Sequence, residues 1–287
     1  MIPPDACLIG VDLGGTRMRA GRVSASGLEA RVETRVPAQA DADTVLTHLY
    51  ALIDRVWTPA VTAIGVGVPS VVDLARGIVY DVQNIPSWQE VPLRDLLQNR
   101  YAVPVYLNND ANCFALGEHY FGQARDWPTF IGLVIGTGFA GGVMIDGRLF
   151  TGMHCGAGEF GTMPYRDGIF EHYCSGQLFL RQHQTPGEVL YHRALQGDAA
   201  ARAAFEELGY HLGQALLSIL YAYDIPRFVL GGSVSQAYPL FAETLWTVLH
   251  TFAYRQTREA IALRLSHQTD AGLLGAAALA LVAAAND

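Results

Sequence analysis

Two glycine-rich segments, each directly after an apolar run, have the residue types that bind phosphate. Residues 12–16 read Asp-Leu-Gly-Gly-Thr, and residues 136–142 read Gly-Thr-Gly-Phe-Ala-Gly-Gly. Glycines let backbone N–H groups approach an anion closely, and a threonine hydroxyl adds a further donor. Asp12 adds a carboxylate that can hold Mg²⁺ or water beside a phosphate. The alternative for residues 12–16 is an ordinary tight turn, and the alternative for residues 136–142 is a bulged hairpin loop.

A candidate catalytic carboxylate, Asp110, lies where a predicted strand at 105–107 meets a predicted helix at 111–120. A side chain at such a junction faces the ligand-binding edge of an α/β sheet. The alternative is that Asp110 only caps the helix, because Asp and Asn are preferred at that position. The residue types at this junction leave both interpretations open.

Two further segments could contact a ligand. The glycine-rich segment 151–176 contains Glu159 and Glu171, with His154 and His172 nearby. These carboxylates are either hydrogen-bond acceptors for sugar hydroxyls or solvated loop charges. Residues 230–233, Leu-Gly-Gly-Ser, follow an apolar run and would suit a flat base and ribose lying on bare backbone.

The elements that position these residues recur in a similar order in both halves of the chain. Hydrophobic periodicity predicts strands at 6–11, 18–23, 30–36 and 63–68 and helices at 41–57 and 93–100. After residue 130 it predicts strands at 130–135, 142–145, 148–150, 228–230 and 261–265 and helices at 199–223, 240–255 and 272–285. This order predicts an α/β protein of two similar lobes with a cleft between them. We place the smaller lobe at 1–112, with a C-terminal helix at 273–287 packing back on it, and the larger lobe at 113–272.

Composition narrows the function classes. The 287 residues are 51% hydrophobic and 16% charged, which is typical of a compact globular protein. A formal net charge of −8 disfavours nucleic acid as a partner, because such binding neutralises phosphates with Lys and Arg. The four cysteines form no C-x-x-C pair, no signal peptide is evident, and the alanine-rich run 271–285 predicts a packed helix rather than a membrane span. We therefore expect a reduced, cytoplasmic protein.

Taken together, five motifs resemble the ROK family of sugar kinases and repressors over nearly the whole chain. They are the segments 12–16, 109–112 (Asn-Asp-Ala-Asn), 136–142, 156–159 (Gly-Ala-Gly-Glu) and 230–232. The combination and its order are specific, although each motif alone is not. The resemblance implies a two-lobed actin-like ATPase fold (ribonuclease H-like), a hexose substrate, Mg²⁺ and ATP as cofactors, and a homodimer.

The resemblance also implies roles for individual residues. Asp110 matches the family's catalytic base. The implied sugar ligands are Asn84, Asn109, Asp110, Glu159 and Glu171. The implied ligands of ATP and Mg²⁺ are Asp12, Gly14, Gly15, Thr16, Gly136, Thr137 and Gly138 for the phosphates and Gly231 and Gly232 for the adenosine.

The chain departs from the family in one region. Many members have a histidine soon after the Glu159 position and then a cysteine cluster that binds structural zinc. Here Thr162 occupies the histidine position, and residues 163–170 contain no cysteine. Zinc prefers four Cys or His ligands, so we predict a zinc-free fold; regrouping of His154, Cys155, His172 and Cys174 around a metal is the alternative. The departure also affects the sugar contact that the histidine makes in the family.

The resulting prediction is an ATP-dependent kinase that phosphorylates a hexose hydroxyl, most simply the 6-OH of glucose, N-acetylglucosamine, mannose or fructose. The main alternative is a sugar-binding regulatory protein without kinase activity. A repressor of the family would carry a DNA-binding segment before the first strand, and here that strand is predicted near residue 6. Another actin-like phosphotransferase, of the acetate kinase type, is disfavoured by the sugar ligands Asn84, Glu159 and Glu171.

Overall fold

A computed structural model of the chain describes residue 3 and residues 6–284. Its strands are β1 (Leu8–Leu13), β2 (Arg17–Ser24), β3 (Gly27–Arg35), β4 (Ala63–Val68), β5 (Val72–Asp73), β6 (Ile78–Tyr80), β7 (Glu90–Val91), β8 (Val105–Asn109), β9 (Phe130–Ile135), β10 (Phe139–Ile145), β11 (Arg148–Phe150), β12 (Pro164–Tyr165), β13 (Gly168–Ile169), β14 (Arg227–Gly231) and β15 (Ala262–Leu265). Its helices are α1 (Ala42–Asp54), α2 (Leu93–Tyr101), α3 (Asp110–Tyr120), α4 (Phe170–Cys174), α5 (Gln177–His183), α6 (Gly187–Leu195), α7 (Ala199–Tyr223), α8 (Tyr238–Leu249), α9 (Arg255–Ala260) and α10 (Ala271–Ala284).

The chain divides into two compact units. The first contains Met1–Pro128, Gly142–Ala157 and Gln268–Asp287, and the second contains Thr129–Gly141 and Gly158–His267. The lobes predicted from the sequence, 1–112 and 113–272, are continuous segments, whereas each of these units combines separate segments. The predicted lobe boundaries and the predicted cleft stay predictions. The helix predicted at the C-terminus lies in the first unit as α10, and its predicted residues 285–287 lie outside the described part of the chain.

The first unit is built on a sheet with the order β3-β2-β1-β4-β8. β1 is antiparallel to β2 but parallel to β4, and β4 is parallel to β8. The buried face of α1, which includes Val45 and Leu49, belongs to the same hydrophobic core as these strands. α10 lies directly on backbone, because a Cβ at Gly65 or Gly275 would overlap the carbonyl of Ala276 or Cys113. Because β1, β4 and β8 are parallel, their C-terminal ends lie at the same edge of the sheet. At this edge β1 leads into the 12–16 turn and β8 leads into α3.

A small sheet, β5-β6-β7, belongs to the same unit and leads into a loop at 81–89 that the periodicity did not predict as a structured element. The loop closes on itself, because the N–H of Trp88 donates to the carbonyl of Ile85 (2.8 Å) and that of Ile85 to Val82 (2.9 Å). Ile85 and Trp88 are buried in the core. Buried side chains on either side thus hold exposed Asn84 in a fixed position.

The second unit contains the parallel strands β9, β14 and β15, which belong to a sheet with the order β11-β10-β9-β14-β15; the division between the units falls within β10. The helix α7 begins after Asp198, whose carboxylate accepts the N–H groups of Ala200 and Ala201. α7 and α8 approach closely, because a Cβ at Gly213 would lie 2.6 Å from Cβ of Val248. The β10–β11 hairpin around Asp146 and Gly147 is confirmed.

One predicted helix is too long, and one segment has structure that the sequence did not predict. The helix predicted at 240–255 ends at Leu249, where Phe252 turns into the core, and a separate short helix α9 follows. The glycine-rich segment 151–176, for which no element was predicted, contains a 3₁₀ turn at Phe160–Thr162, the β12–β13 hairpin and α4. Among the described residues, no helix is both long enough and apolar enough to cross a membrane.

Candidate active site

In the first unit, the segment 12–16 forms a tight turn between β1 and β2. The N–H of Gly14 donates to the carbonyl of Arg17 (2.9 Å), which closes the turn. Asp12, the penultimate residue of β1, forms an ion pair with Arg19 on β2 (Oδ2 to Nη1, 3.3 Å). Burial raises the pKa of Asp12, against the opposing charge of Arg19. A cation beside this carboxylate would favour its ionised form, so the turn fits Mg²⁺ and phosphate.

Asn84 lies directly over this turn. A Cβ at Gly15 would be 2.5 Å from Nδ2 of Asn84, so only a glycine leaves room for the amide. The carboxamide stays exposed at the turn. The structure therefore brings a predicted sugar ligand and a predicted phosphate-binding glycine into contact. The two residues are 69 positions apart in the chain (84 − 15), so the sequence alone could not predict this contact.

The β8–α3 junction presents Asp110 at the first turn of α3. The N-cap is Asn109, whose Oδ1 accepts the N–H groups of Ala111 (2.8 Å) and Asn112 (3.4 Å). The alternative in which Asp110 serves as the cap is therefore wrong. Asp110 is the first helical residue, it is partly exposed, and its Oδ1 also accepts the N–H of Ala111 (2.8 Å). A carboxylate in the first turn is stabilised by the helix dipole, which suits a group that must be ionised before it accepts a proton.

Behind this junction lies a buried polar cluster that sequence reasoning missed. Asn108 Oδ1 accepts hydrogen bonds from the N–H of Asn109 (2.9 Å), from Nδ2 of Asn112 (2.9 Å) and from Sγ of Cys155 (3.3 Å). All these side chains are buried. The asparagines at 108, 109 and 112 were the sequence signal that could have indicated the cluster. No sequence signal indicated that Cys155, in a distant loop, contributes to it.

In the second unit, the turn at 136–138 is joined to Glu171. The N–H of Gly136 donates to the carbonyl of Gly138 (3.0 Å), and Oε2 of Glu171 accepts the N–H of Phe139 (3.1 Å). A Cβ at Gly138 would lie 2.6 Å from the same Oε2, so the glycine is required for this contact. Thr137 projects from the turn and is exposed. A predicted phosphate-binding turn and a predicted sugar ligand thus share a hydrogen bond.

The turn at 231–233 lies beside the turn at 136–138. Gly231 is paired with Val134 in the parallel β9–β14 ladder, so both strands end at the same edge. Gly232 has φ +87°, and a Cβ there would lie 2.8 Å from the backbone nitrogen of Ile135. The bare backbone of this turn fits a flat adenosine group as the resemblance implies, and its assignment stays a prediction.

Glu159 lies near Glu171 in the same unit. Burial and the neighbouring charge of Glu171 both raise the pKa of Glu159. Two neighbouring carboxylates can accept hydrogen bonds from sugar hydroxyl groups, and such donors would relieve the repulsion between them. The roles of both residues as sugar ligands stay predictions.

The zinc-binding segment of the family is replaced here by a hairpin. Thr162 donates its hydroxyl to the carbonyl of Glu159 (2.8 Å), and residues 164–169 form the β12–β13 hairpin. Within the described part of the chain, no three His, Cys, Asp or Glu side chains are grouped closely enough to hold a metal ion. The absence of zinc from the purified protein stays a prediction.

Comparison with known proteins identifies the class. The structure has a TM-score of 0.82 to a ROK family glucokinase of Streptomyces griseus solved with glucose and AMPPNP, which is 27% identical and is covered over 99% of its length by 96% of this chain. An N-acetyl-D-glucosamine kinase of Escherichia coli O6:H1 is 33% identical (95% of this chain, 98% of the relative), and a glucokinase of Thermotoga maritima is 29% identical (96% and 98%). The predicted α/β actin-like ATPase fold is confirmed.

A sequence model of the ROK family matches residues 8–283. The chain therefore belongs to the ROK family, as its motifs indicated.

Proposed function

We propose that this protein is an ATP-dependent sugar kinase that transfers the γ-phosphoryl group of ATP to a hexose hydroxyl. The observation that carries the proposal is the β8–α3 junction. There Asn109 supplies the helix cap, which leaves Asp110 at the start of α3 with a carboxylate that capping does not require. The kinases among the relatives support the reaction type.

In this proposal Asp110 accepts the proton of the attacking hydroxyl group. Phosphoryl transfer asks a protein mainly for positioning and charge stabilisation, so the base needs a defined orientation more than a shifted pKa. The buried cluster behind the junction provides that orientation, because Asn108 and Asn112 hydrogen-bond to each other beneath the first turn of α3. Mg²⁺ bound with ATP supplies neutralisation of phosphate charge.

The two glycine turns would bind the phosphates of ATP through backbone N–H groups. Asp12 would hold Mg²⁺ on the side of the 12–16 turn, and Gly231 and Gly232 would face the adenosine. Asn84, Asn109, Glu159 and Glu171 would bind the sugar hydroxyls. Asn84 and Glu171 each contact a glycine turn, so a sugar ligand and a phosphate-binding loop would respond together when either substrate binds.

For the acceptor we propose the 6-OH of glucose, with N-acetylglucosamine as the nearest competitor and mannose and fructose after it. The relatives include both glucokinases and N-acetylglucosamine kinases at similar identity. Thr162 occupies the position of the family histidine, so the sugar contact that this histidine makes in the family differs here. We further propose a cytoplasmic homodimer that binds neither nucleic acid nor membrane.

A coupled ADP-release assay with Mg²⁺ and ATP across these four hexoses tests the reaction. We expect sugar-dependent ADP release that exceeds the sugar-free rate at least tenfold for one of them. Calorimetric titration with the same sugars distinguishes the alternative function. Sugar binding without sugar-dependent ADP release would identify a sugar-binding regulatory protein and would contradict the kinase assignment.

A further inference from the structure

Aromatic side chains pack the segment between Glu159 and Glu171 against helix α7. Tyr165 of β12 stacks on Phe170 with ring centroids 4.3 Å apart and an interplanar angle of 17°. Its ring also meets Tyr173 edge-on at 5.4 Å and His211 of α7 at 5.7 Å. We refer to Tyr165, Phe170, Tyr173 and His211 as the aromatic anchor. Stacked and edge-on pairs of this kind stabilise a contact beyond the area that they bury.

A hydrogen bond fixes the register of the aromatic anchor. The hydroxyl of Tyr165 lies 3.0 Å from Nδ1 of His211, whose ring is 1% exposed. Nε2 of His211 faces Oε1 of Glu207 at 3.6 Å, and Oε2 of Glu207 lies 3.1 Å from Nε2 of His183 on α5. Burial and the charge of Arg166 lower the pKa of His211, which favours a neutral ring that accepts the Tyr165 hydroxyl proton at Nδ1.

The anchor leads directly to Glu171. Helix α4 spans only Phe170–Cys174, so Glu171 lies between two residues of the anchor, Phe170 and Tyr173, which are 4% and 6% exposed. The N–H of Phe170 also donates to the carbonyl of Met163 (3.0 Å), which joins the helix to the start of the hairpin. Fixing both neighbours fixes the direction in which the Glu171 side chain leaves the helix.

The Glu171 carboxylate is then held at both oxygens. Oε2 accepts the N–H of Phe139 (3.1 Å) in the 136–142 turn, and Oε1 accepts Nε2 of Gln177 (2.7 Å). Hydrogen bonds to a carboxylate are strong only when distance and angle are near ideal, so a shift of α4 by a fraction of an ångström would weaken them.

We propose that Tyr165 and His211 are positioning residues, which hold Glu171 through α4 in the orientation that binds the sugar and supports the 136–142 turn. This inference rests on the proposed kinase function for the sugar-binding role of Glu171. Tyr165 and His211 are not themselves among the proposed substrate ligands.

Two variants of Tyr165 test the proposal with steady-state kinetics. Tyr165→Phe keeps the ring and removes the hydroxyl, so KM for the hexose should rise about two- to fivefold, as expected for one hydrogen bond. Tyr165→Ala removes the ring as well, and KM should rise at least about tenfold. KM for ATP should also rise, by a smaller factor, because Glu171 supports the 136–142 turn through the N–H of Phe139. Tyr210→Phe is the matched control, because Tyr210 precedes His211 on α7, is 41% exposed, and should leave both constants unchanged.

A double-variant cycle separates positioning from general destabilisation. If Tyr165 acts through Glu171, then Tyr165→Phe should add less than about twofold to the KM effect of Glu171→Gln. Full additivity of the two effects would overturn the proposal. A lower fraction of folded enzyme would reduce the apparent kcat but would not make the effects of the two substitutions on KM non-additive.

Hydrogen exchange gives a readout that needs no substrate. The amide proton of Phe139 should exchange at least about fivefold faster in Tyr165→Phe than in the unmodified protein, because its acceptor Glu171 is less well held. Tyr210→Phe should leave this rate unchanged. Unchanged exchange at Phe139 in Tyr165→Phe would overturn the positioning role of Tyr165, whether or not the protein phosphorylates a hexose. Absence of hexose phosphorylation would overturn only the proposed function.

Discussion

The β8–α3 junction and the hairpin with α4 present candidate sugar ligands in different ways. At the junction, Asn109 and Asp110 are adjacent in sequence, and most hydrogen bonds that orient them join residues one to four positions apart. At α4, the carboxylate of Glu171 is held by Phe139, 32 positions away, and the helix is held by His211, 46 positions from Tyr165. The first arrangement follows from local chain geometry, whereas the second exists only after the second unit has folded.

The two regions should also respond differently to mutation. A locally built site should tolerate distant changes and respond strongly to changes within it. A site built by long-range contacts should respond to changes at each remote contact.

Asp110→Asn should separate catalysis from structure at the junction. Asn109 caps α3, so the substitution leaves the cap in place and the free energy of unfolding should fall by less than about 1 kcal/mol. Loss of the proton acceptor should lower kcat at least about 100-fold, the low end of general-base contributions. Sugar binding should persist in weakened form, because the amide oxygen still accepts a hydrogen bond. Steady-state kinetics and urea unfolding measure the two effects.

Two matched variants serve as controls for Asp110→Asn. Asp41 is the N-cap of α1 and its Oδ1 accepts the N–H of Thr44 (2.7 Å), so Asp41→Asn repeats the chemical change at a helix start without affecting kcat. Asp12→Asn should raise KM for ATP more than KM for the sugar. An Asp110→Asn enzyme that folds normally and keeps more than about a tenth of the original kcat would remove Asp110 from its catalytic role.

Asn112→Ala should damage the buried cluster beneath the junction. The side chain is fully buried and donates from Nδ2 to Oδ1 of Asn108 (2.9 Å). Losing this hydrogen bond and leaving a small cavity should lower the free energy of unfolding by about 2–3 kcal/mol, measured in urea. Asn99→Ala, an exposed asparagine on α2, should change it by less than about 0.5 kcal/mol. Equal effects of the two variants would contradict a structural role for the cluster.

Acid should weaken the aromatic anchor through His211. Burial and Arg166 lower its pKa in the folded protein below the ordinary value of about 6.5, with Glu207 opposing the shift and Tyr165, Tyr173 and Tyr210 packed around the ring. As pH falls through 6.5, the unfolded chain therefore takes up a proton that the folded protein resists. The free energy of unfolding should fall toward pH 5, by at most about 1.4 kcal/mol per pH unit for this one proton.

The contribution of His211 is isolated by comparison with His211→Gln, which cannot titrate. The difference in unfolding free energy between the two proteins should shrink as pH falls from 7 to 5, because the unmodified protein alone loses stability by this route. His48→Gln, at an exposed site on α1, is the matched control. A difference that stays constant, or one that grows, would show that His211 is not held neutral.

Removal of metal should have the smallest effect. Residues 163–170, where many family members have zinc-binding cysteines, contain no cysteine, so we predict that zinc does not stabilise this region. Incubation with a chelator should therefore change Tm by less than about 1 °C, and elemental analysis should find no stoichiometric metal in the purified protein. One tightly held zinc per chain would contradict the zinc-free prediction.

The sequence alone determined the elements whose signals are local. Periodicity placed β4, β9 and α7 at their observed bounds, because each is a long or strongly apolar segment ended by Pro, Gly or Asp. Adjacent motif residues located the glycine turns and the β8–α3 junction, and their order identified the family. The helix predicted through 255 was extended too far, because Phe252 leaves the helical path to fill the core, a tertiary demand that local propensity does not register.

Only the tertiary structure decided which of the candidate residues contact one another. Asn84 on Gly15, Glu171 on the N–H of Phe139 and Cys155 on Asn108 join residues 32 to 69 positions apart. It also assigned the cap to Asn109 rather than Asp110, since both side chains favour that position and a difference of one residue depends on where β8 leaves its sheet. Residues 163–170, whose sequence shows no periodicity, acquire their structure from rings that pack on α7, because stacking energy depends on distances that no stretch of sequence specifies.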